Sequence, residues 1–322
     1  MKRSLFLLSM VIGACSNAGS DLGPVPFSEW PVAVEVFLDR DASGGRTSAD
    51  TIVGGASVSL RPPGGGKAVQ TVLTDVGGVA RFGSVLVGEY SLSVDPASLG
   101  DSVSVAEIIP APLEVVVSAN PIEATIRLKY PEFSIRQARE QPPGKRIMIR
   151  GLVLAGVQSF RDTTSHVRDT SGQVRLTRVS LSGGLTGNDP GDSVAVLGTV
   201  SSRAGQPTLD QVRLYFISSR PAPVALALST AAAAAASGGT LDAGLVRITG
   251  AVIAEAAVSG PDFRVVANDG SGPLTVIVDG NIQLNPVVFV VGLTLNVTGV
   301  LVPDGTGQWR LKPRTAGDIA VF

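Results

Sequence analysis

The 322-residue chain contains one cysteine, Cys15, and one histidine, His166. An internal disulfide framework is therefore excluded, as is a metal centre built from several imidazoles or thiolates. Aromatic residues make up 5% and charged residues 16%. The segment 286–302, PVVFVVGLTLNVTGVLV, is apolar, but its glycines, Asn296 and β-branched content fit two strands better than a membrane helix. Signatures of nucleophilic and phosphate chemistry are also missing. GASVSL lacks the G-x-S-x-G spacing of a nucleophile elbow. In RPPGGGKAVQT the residue after Lys67 is Ala68, where a phosphate-binding loop needs Ser or Thr. With no recognisable catalytic constellation, the chain is expected not to be an enzyme and to require no cofactor.

Net charge is −1, unevenly distributed. Residues 15–130 carry 7 basic and 13 acidic side chains, 131–220 carry 12 and 7, and 221–322 carry 5 and 7. The 38 glycines and the short runs rich in valine and threonine predict an all-β chain of many short strands and turns. At the N-terminus, Lys2 and Arg3 precede SLFLLSMVIGA, an apolar stretch too short to span a bilayer, which ends in Ile12-Gly13-Ala14-Cys15. This resembles the lipobox of bacterial lipoproteins. The resemblance implies a signal peptide over 1–14, acyl chains on Cys15, and a membrane-anchored protein of the cell envelope. Residues 15–29 then form a polar tether, and Ser16 is similar to the residue that directs Gram-negative lipoproteins to the outer membrane.

Residues 30–130 read as an antiparallel sandwich, beginning with the alternating strand VAVEVFL. DRDASGGRTSAD follows, from Asp39 to Asp50. Asp39, Asp41 and Ser43 take positions 1, 3 and 5, Gly44 position 6, Thr47 position 9 and Asp50 position 12, a layout that can surround calcium with hard oxygen ligands. The flanks are strands, so this is no EF-hand, and the same residues make an ordinary polar turn. Both readings stand at this point. Farther on, TDVGGVARFGSVLVGEYSLSV (74–94) resembles the prealbumin-like sandwiches of bacterial surface adhesins, through Asp75, Gly78, Ala80, Phe82, Val87, Gly88 and Tyr90. Adhesin relatives often carry calcium after their first strand, so the resemblance favours a structural ion over a catalytic one.

The remainder repeats with a period of about 100 residues. RIMIRGLVLAG (146–156) matches LVRITGAVIAE (245–255), VRDTSGQVRL (167–176) matches ANDGSGPLTV (267–276), and GDSVAVLGTV (191–200) matches GLTLNVTGVL (292–301). Each copy opens with a short helix, SIRQARE capped by Ser134 and STAAAAAAS capped by Ser229. The order of strands resembles the five-stranded OB-fold, giving one small barrel over 131–220 and another over 221–322. OB-folds commonly bind oligonucleotides or glycans across strands 2 and 3. In the first copy alternation places Arg175 on the outer side, with His166 and Arg168 sharing a parity and Arg150 before the strand-1 glycine. The second copy has Thr249, Val266, Asn268 and Thr275 at these places.

Two functions follow from different classes. One is a lipid-anchored structural or interaction protein that docks another envelope protein. The other is a binding protein that holds an extracellular polyanion, nucleic acid or acidic glycan, on Arg150, His166, Arg168 and Arg175. Aromatic stacking platforms, which single-strand binders need, are missing from those strands.

Overall fold

The structure, a computed structural model, describes residues 28–99, 103–181 and 189–322. Cys15 and the expected signal peptide lie outside the described residues. The architecture is all-β: one sandwich followed by two closed five-stranded barrels.

The sandwich is built from β1 (Glu29–Asp39), β2 (Thr51–Ile52), β3 (Ser57–Arg61), β4 (Gln70–Leu73), β5 (Val79–Leu86), β6 (Gly88–Val94), β7 (Ser104–Ile109), β8 (Leu113–Val115) and β9 (Ile122–Lys129). One sheet runs β2-β1-β9-β7 with β5 also on β1, and the other β4-β3-β6-β8. The period-2 pattern of β1 sends Val32, Val34 and Val36 into the core, where they meet Val58, Leu60, Phe82, Ile126 and Leu128. The motif residues of 74–94 have local duties. The Asp75 carboxylate accepts the Gly77 and Val79 N–H groups at 2.8 and 3.0 Å, closing the turn. The Tyr90 ring is buried while its hydroxyl donates to the Leu86 carbonyl at 2.9 Å. Pairing is antiparallel except that β1 and β9 run parallel. Both therefore end at one pole of the sandwich, so the Asp39–Asp50 loop and the exit to the first barrel are neighbours.

The first barrel comprises α1 (Ile135–Arg139), β10 (Arg146–Ala155), β11 (Ser165–Arg168), β12 (Gln173–Leu176), β13 (Ser180–Leu181), β14 (Asp192–Arg203) and β15 (Gln206–Ser219). The second comprises β16 (Leu226–Ala227), α2 (Thr230–Ala234), β17 (Leu245–Ser259), β18 (Asp262–Asn268), β19 (Pro273–Val278), β20 (Thr294–Pro303), β21 (Trp309–Lys312) and β22 (Ile319–Val321). The ring β10-β11-β12-β15-β14 closes on β10, and β17-β18-β19-β21-β20 closes on β17, with β12/β15 and β19/β21 parallel. This is the OB arrangement in both copies. Gly151 sits where β10 passes β11, and a Cβ there would stand 2.8 Å from the Arg168 carbonyl oxygen. Gly250 has φ +70° at the register break of β17, a bend that a residue with a side chain rarely adopts.

Each repeat ties its helix to the turn between strands 2 and 3 by the same device. The Asp169 carboxylate accepts the Ile135, Ser171 and Gly172 N–H groups, and Asp269 accepts those of Thr230 and Ser271. Ser134 and Ser229 cap the two helices as the sequence predicts.

Candidate functional site

The acidic loop is compact. Asp39, Asp41 and Asp50 each place a carboxylate oxygen within 4.8 Å of the others. Asp39 is buried, and its Oδ2 accepts from Gly44 N–H and Arg127 Nη1, both at 3.0 Å. Asp41 accepts from Ser43 N–H at 3.0 Å and Thr47 Oγ1 at 2.9 Å, and Asp50 accepts from Arg40 and Thr47 N–H. The Ser43 hydroxyl, counted as a ligand in the sequence, donates instead to the Gly45 carbonyl at 3.0 Å. Burial pushes the Asp39 carboxyl up, against the pull of Gly44 and Arg127. For Asp41 burial also pushes up, but the Ser43 and Thr47 hydrogen bonds outweigh it and the net shift is downward. Three hard oxygen donors from carboxylates suit calcium. The existing hydrogen bonds also let the loop hold its shape as a turn.

This loop belongs to a domain junction. Ala42 and Ala49, together with Tyr130, pack on Met148, Ala195, Leu197 and Tyr215 of the first barrel. Arg150 donates to the Ala42 carbonyl at 3.3 Å.

The four candidate cationic residues separate into two pairs. Arg150 and Arg168 line one shallow depression with Gly151, Leu152, Asp169, Thr170 and Ser193. Arg150 is already paired with Glu132 at 2.9 Å. His166 and Arg175 are not on an open face, which corrects the expectation of a shared basic surface. His166 is 0% and Arg175 7% exposed. Strand alternation does place Arg175 outside the first barrel, but the second barrel stands on that side.

The seam between the barrels explains the burial. Leu154, Ala155 and Phe160 pack against Leu245 and Val300. Arg139 forms a bidentate pair with Asp242, 2.7 Å on each arm. Gln173, on β12, donates to the Thr240 carbonyl, and Gln206 to that of Asp242. Arg314 donates to the Leu154 carbonyl at 3.0 Å. At the edge of the seam, where the Asp162 side chain is 41% exposed, Arg175 meets Asp162 at 3.2 Å, while the more deeply buried Lys312 reaches Asp279 at 2.8 Å and Asp162 at 3.7 Å. The Lys312 ammonium also stands 4.4 Å from the centre of the Phe160 ring. Asp162 is held below the usual carboxylate range: burial pushes it up, but Lys312, Thr164 and Arg175 outweigh that. Sequence reading had no means of finding Asp162, Asp242, Asp279 or Lys312, because their partners lie on the other barrel or far along the chain.

No family model matches the chain, and no curated protein matches it. Among solved structures, 56% of this chain aligns with 96% of a tetrameric p202 HIN2 at 12% identity and a TM-score of 0.27. A murine DNA binding protein bound with double-stranded DNA aligns over 54% of this chain and 97% of its own, at 10% identity and a TM-score of 0.29. Asparaginyl-tRNA synthetase from Pyrococcus horikoshii aligns over 26% of this chain at 17% identity and a TM-score of 0.23, and the match spans 20% of the synthetase's length. These likenesses are too distant to assign a function.

Proposed function

We propose that the chain is a lipid-anchored protein of the bacterial cell envelope, carried by Cys15, with a non-catalytic structural and interaction role. The observation that supports this over polyanion binding is the seam: the second barrel covers much of the strand-2 and strand-3 face of the first. Of the four candidate cations, His166 and Arg175 lie beneath the second barrel and Arg150 is paired with Glu132, which leaves Arg168 without an ion pair among the described residues. Polyanion affinity grows with the number of phosphates neutralised, and one unpaired arginine supports little of it. Titration of the full chain with fluorescent single-stranded DNA, heparin and an acidic glycan at low salt is the test. No saturable binding is expected. Saturable binding that weakens steeply with salt and disappears in Arg150→Thr/Arg168→Asn would replace the structural reading with the polyanion one.

Within this role, the acidic loop takes calcium through Asp39, Asp41 and Asp50 as a structural clip at the junction between the sandwich and the first barrel. A ligand that binds only the folded state stabilises it by about 2.7 kcal/mol at a hundredfold excess over its Kd. Calcium at millimolar concentration is accordingly expected to raise the melting temperature of the wild type and to leave Asp41→Asn/Asp50→Asn unchanged. Superimposable wild-type curves in calcium and in chelator would return the loop to the status of a turn.

A further inference from the structure

His166 is the chain's one histidine, and it lies wholly inside the barrel seam. On β11 its register partners are Ala155 of β10 and Arg175 of β12. Its ring meets Phe160 edge-on, with centroids 6.0 Å apart and planes at 87°. Neither ring nitrogen has a hydrogen-bond partner among the described residues. The charges in its surroundings are Arg175 from β12, Asp162 from the loop between β10 and β11, and Lys312 from β21, with Asp279 behind Lys312. These form two cations and two anions, so the seam is balanced while the imidazole is neutral. A proton on His166 would add a third cation with no acceptor to receive its N–H groups, a costly state away from water.

We propose that His166 makes the seam an acid-sensitive latch: the docked barrels accept only the neutral imidazole, so acidification releases the second barrel from β11 and β12. The sign follows from where the proton binds. Burial, reinforced by Arg175, pushes the docked imidazole down to about 3. Once the seam opens, the ring is exposed and titrates near its ordinary value of about 6.5. Docking is therefore at full strength above about pH 6.5 and weakens as pH falls, by up to about tenfold in the opening constant per unit. Asp162 does not contribute in that interval, because it stays ionised below the usual carboxylate range.

Spin labels on Thr170 of the first barrel and Ser259 of the second, in a Cys15→Ser background, read the opening constant of the full chain as the ratio of separated to docked distances. From about pH 6 to about pH 4.5 it should rise close to tenfold per unit in the wild type. The same constant should be flat in His166→Leu and in His166→Gln, the second keeping the comparison available if leucine disturbs folding. Hydrogen exchange at amides 147–149, on β10 of the first barrel, should not follow the wild-type slope. A flat wild type, an equal slope in the variants, or the same slope at 147–149, which marks global unfolding, would each overturn the latch.

Discussion

Lys312→Ala is expected to destabilise the paired barrels by about 3–5 kcal/mol, the usual cost of removing one member of a buried ion pair. Asp279 is 2% exposed and has the Lys312 ammonium at 2.8 Å as its cation. Without it, a buried carboxylate keeps, among the described residues, the N–H groups of Arg161 and Asn281. The loss of the ammonium over Phe160 adds to the effect. Urea denaturation followed by probes in each barrel measures it, and Lys312→Met/Asp279→Asn should recover a large part, since removing both charges leaves no orphan. A single mutant within about 0.5 kcal/mol of wild type, the range of an ordinary surface substitution, would mean that Asp279 is solvated and the seam loose.

Cys15→Ala is expected to move the protein from the membrane fraction to the soluble fraction, or to leave an unprocessed precursor. The lipobox-like Ile12-Gly13-Ala14-Cys15 motivates this. Among the described residues, no helix is long and apolar enough to cross a membrane. Acyl chains hold a protein by about 0.8 kcal/mol per buried CH₂, so their loss removes most of the attachment. Fractionation together with metabolic labelling by a fatty acid checks it. Unlabelled wild type, or a Cys15→Ala protein that is processed to mature size and still retained in the membrane, would disprove lipid anchoring.

The elements visible in the sequence were those with local causes. Asp75 sits where a turn needs an acceptor, Phe82 and Tyr90 where a period-2 strand faces its core, and Asp169 and Asp269 recur because each repeat closes the same turn. Matched core residues, Val174 with Leu274 and Leu176 with Val276, made the second barrel legible from the first. The seam was not legible. Alternation says on which side of a strand Arg175 lies, but not that another barrel stands there. The basic asymmetry between the copies, Arg175 against Thr275, therefore suggested a ligand face. Its structural setting is the pairing of Arg175 with Asp162 beneath a neighbour that supplies Lys312. Asp162 and Asp279 share one lysine across 117 positions of sequence, and no local pattern announces a contact of that span.

The most direct test of the docked barrels, with the strand-2 and strand-3 face of the first largely sealed, is the distance between them. Spin labels on exposed Thr170 and Ser259, placed in a Cys15→Ser background, report the distance between the barrels directly. Near neutral pH a single narrow distance distribution that salt does not broaden is expected. A broad or multimodal distribution would show barrels that move independently, with His166 and Arg175 open to solvent, and would contradict docking.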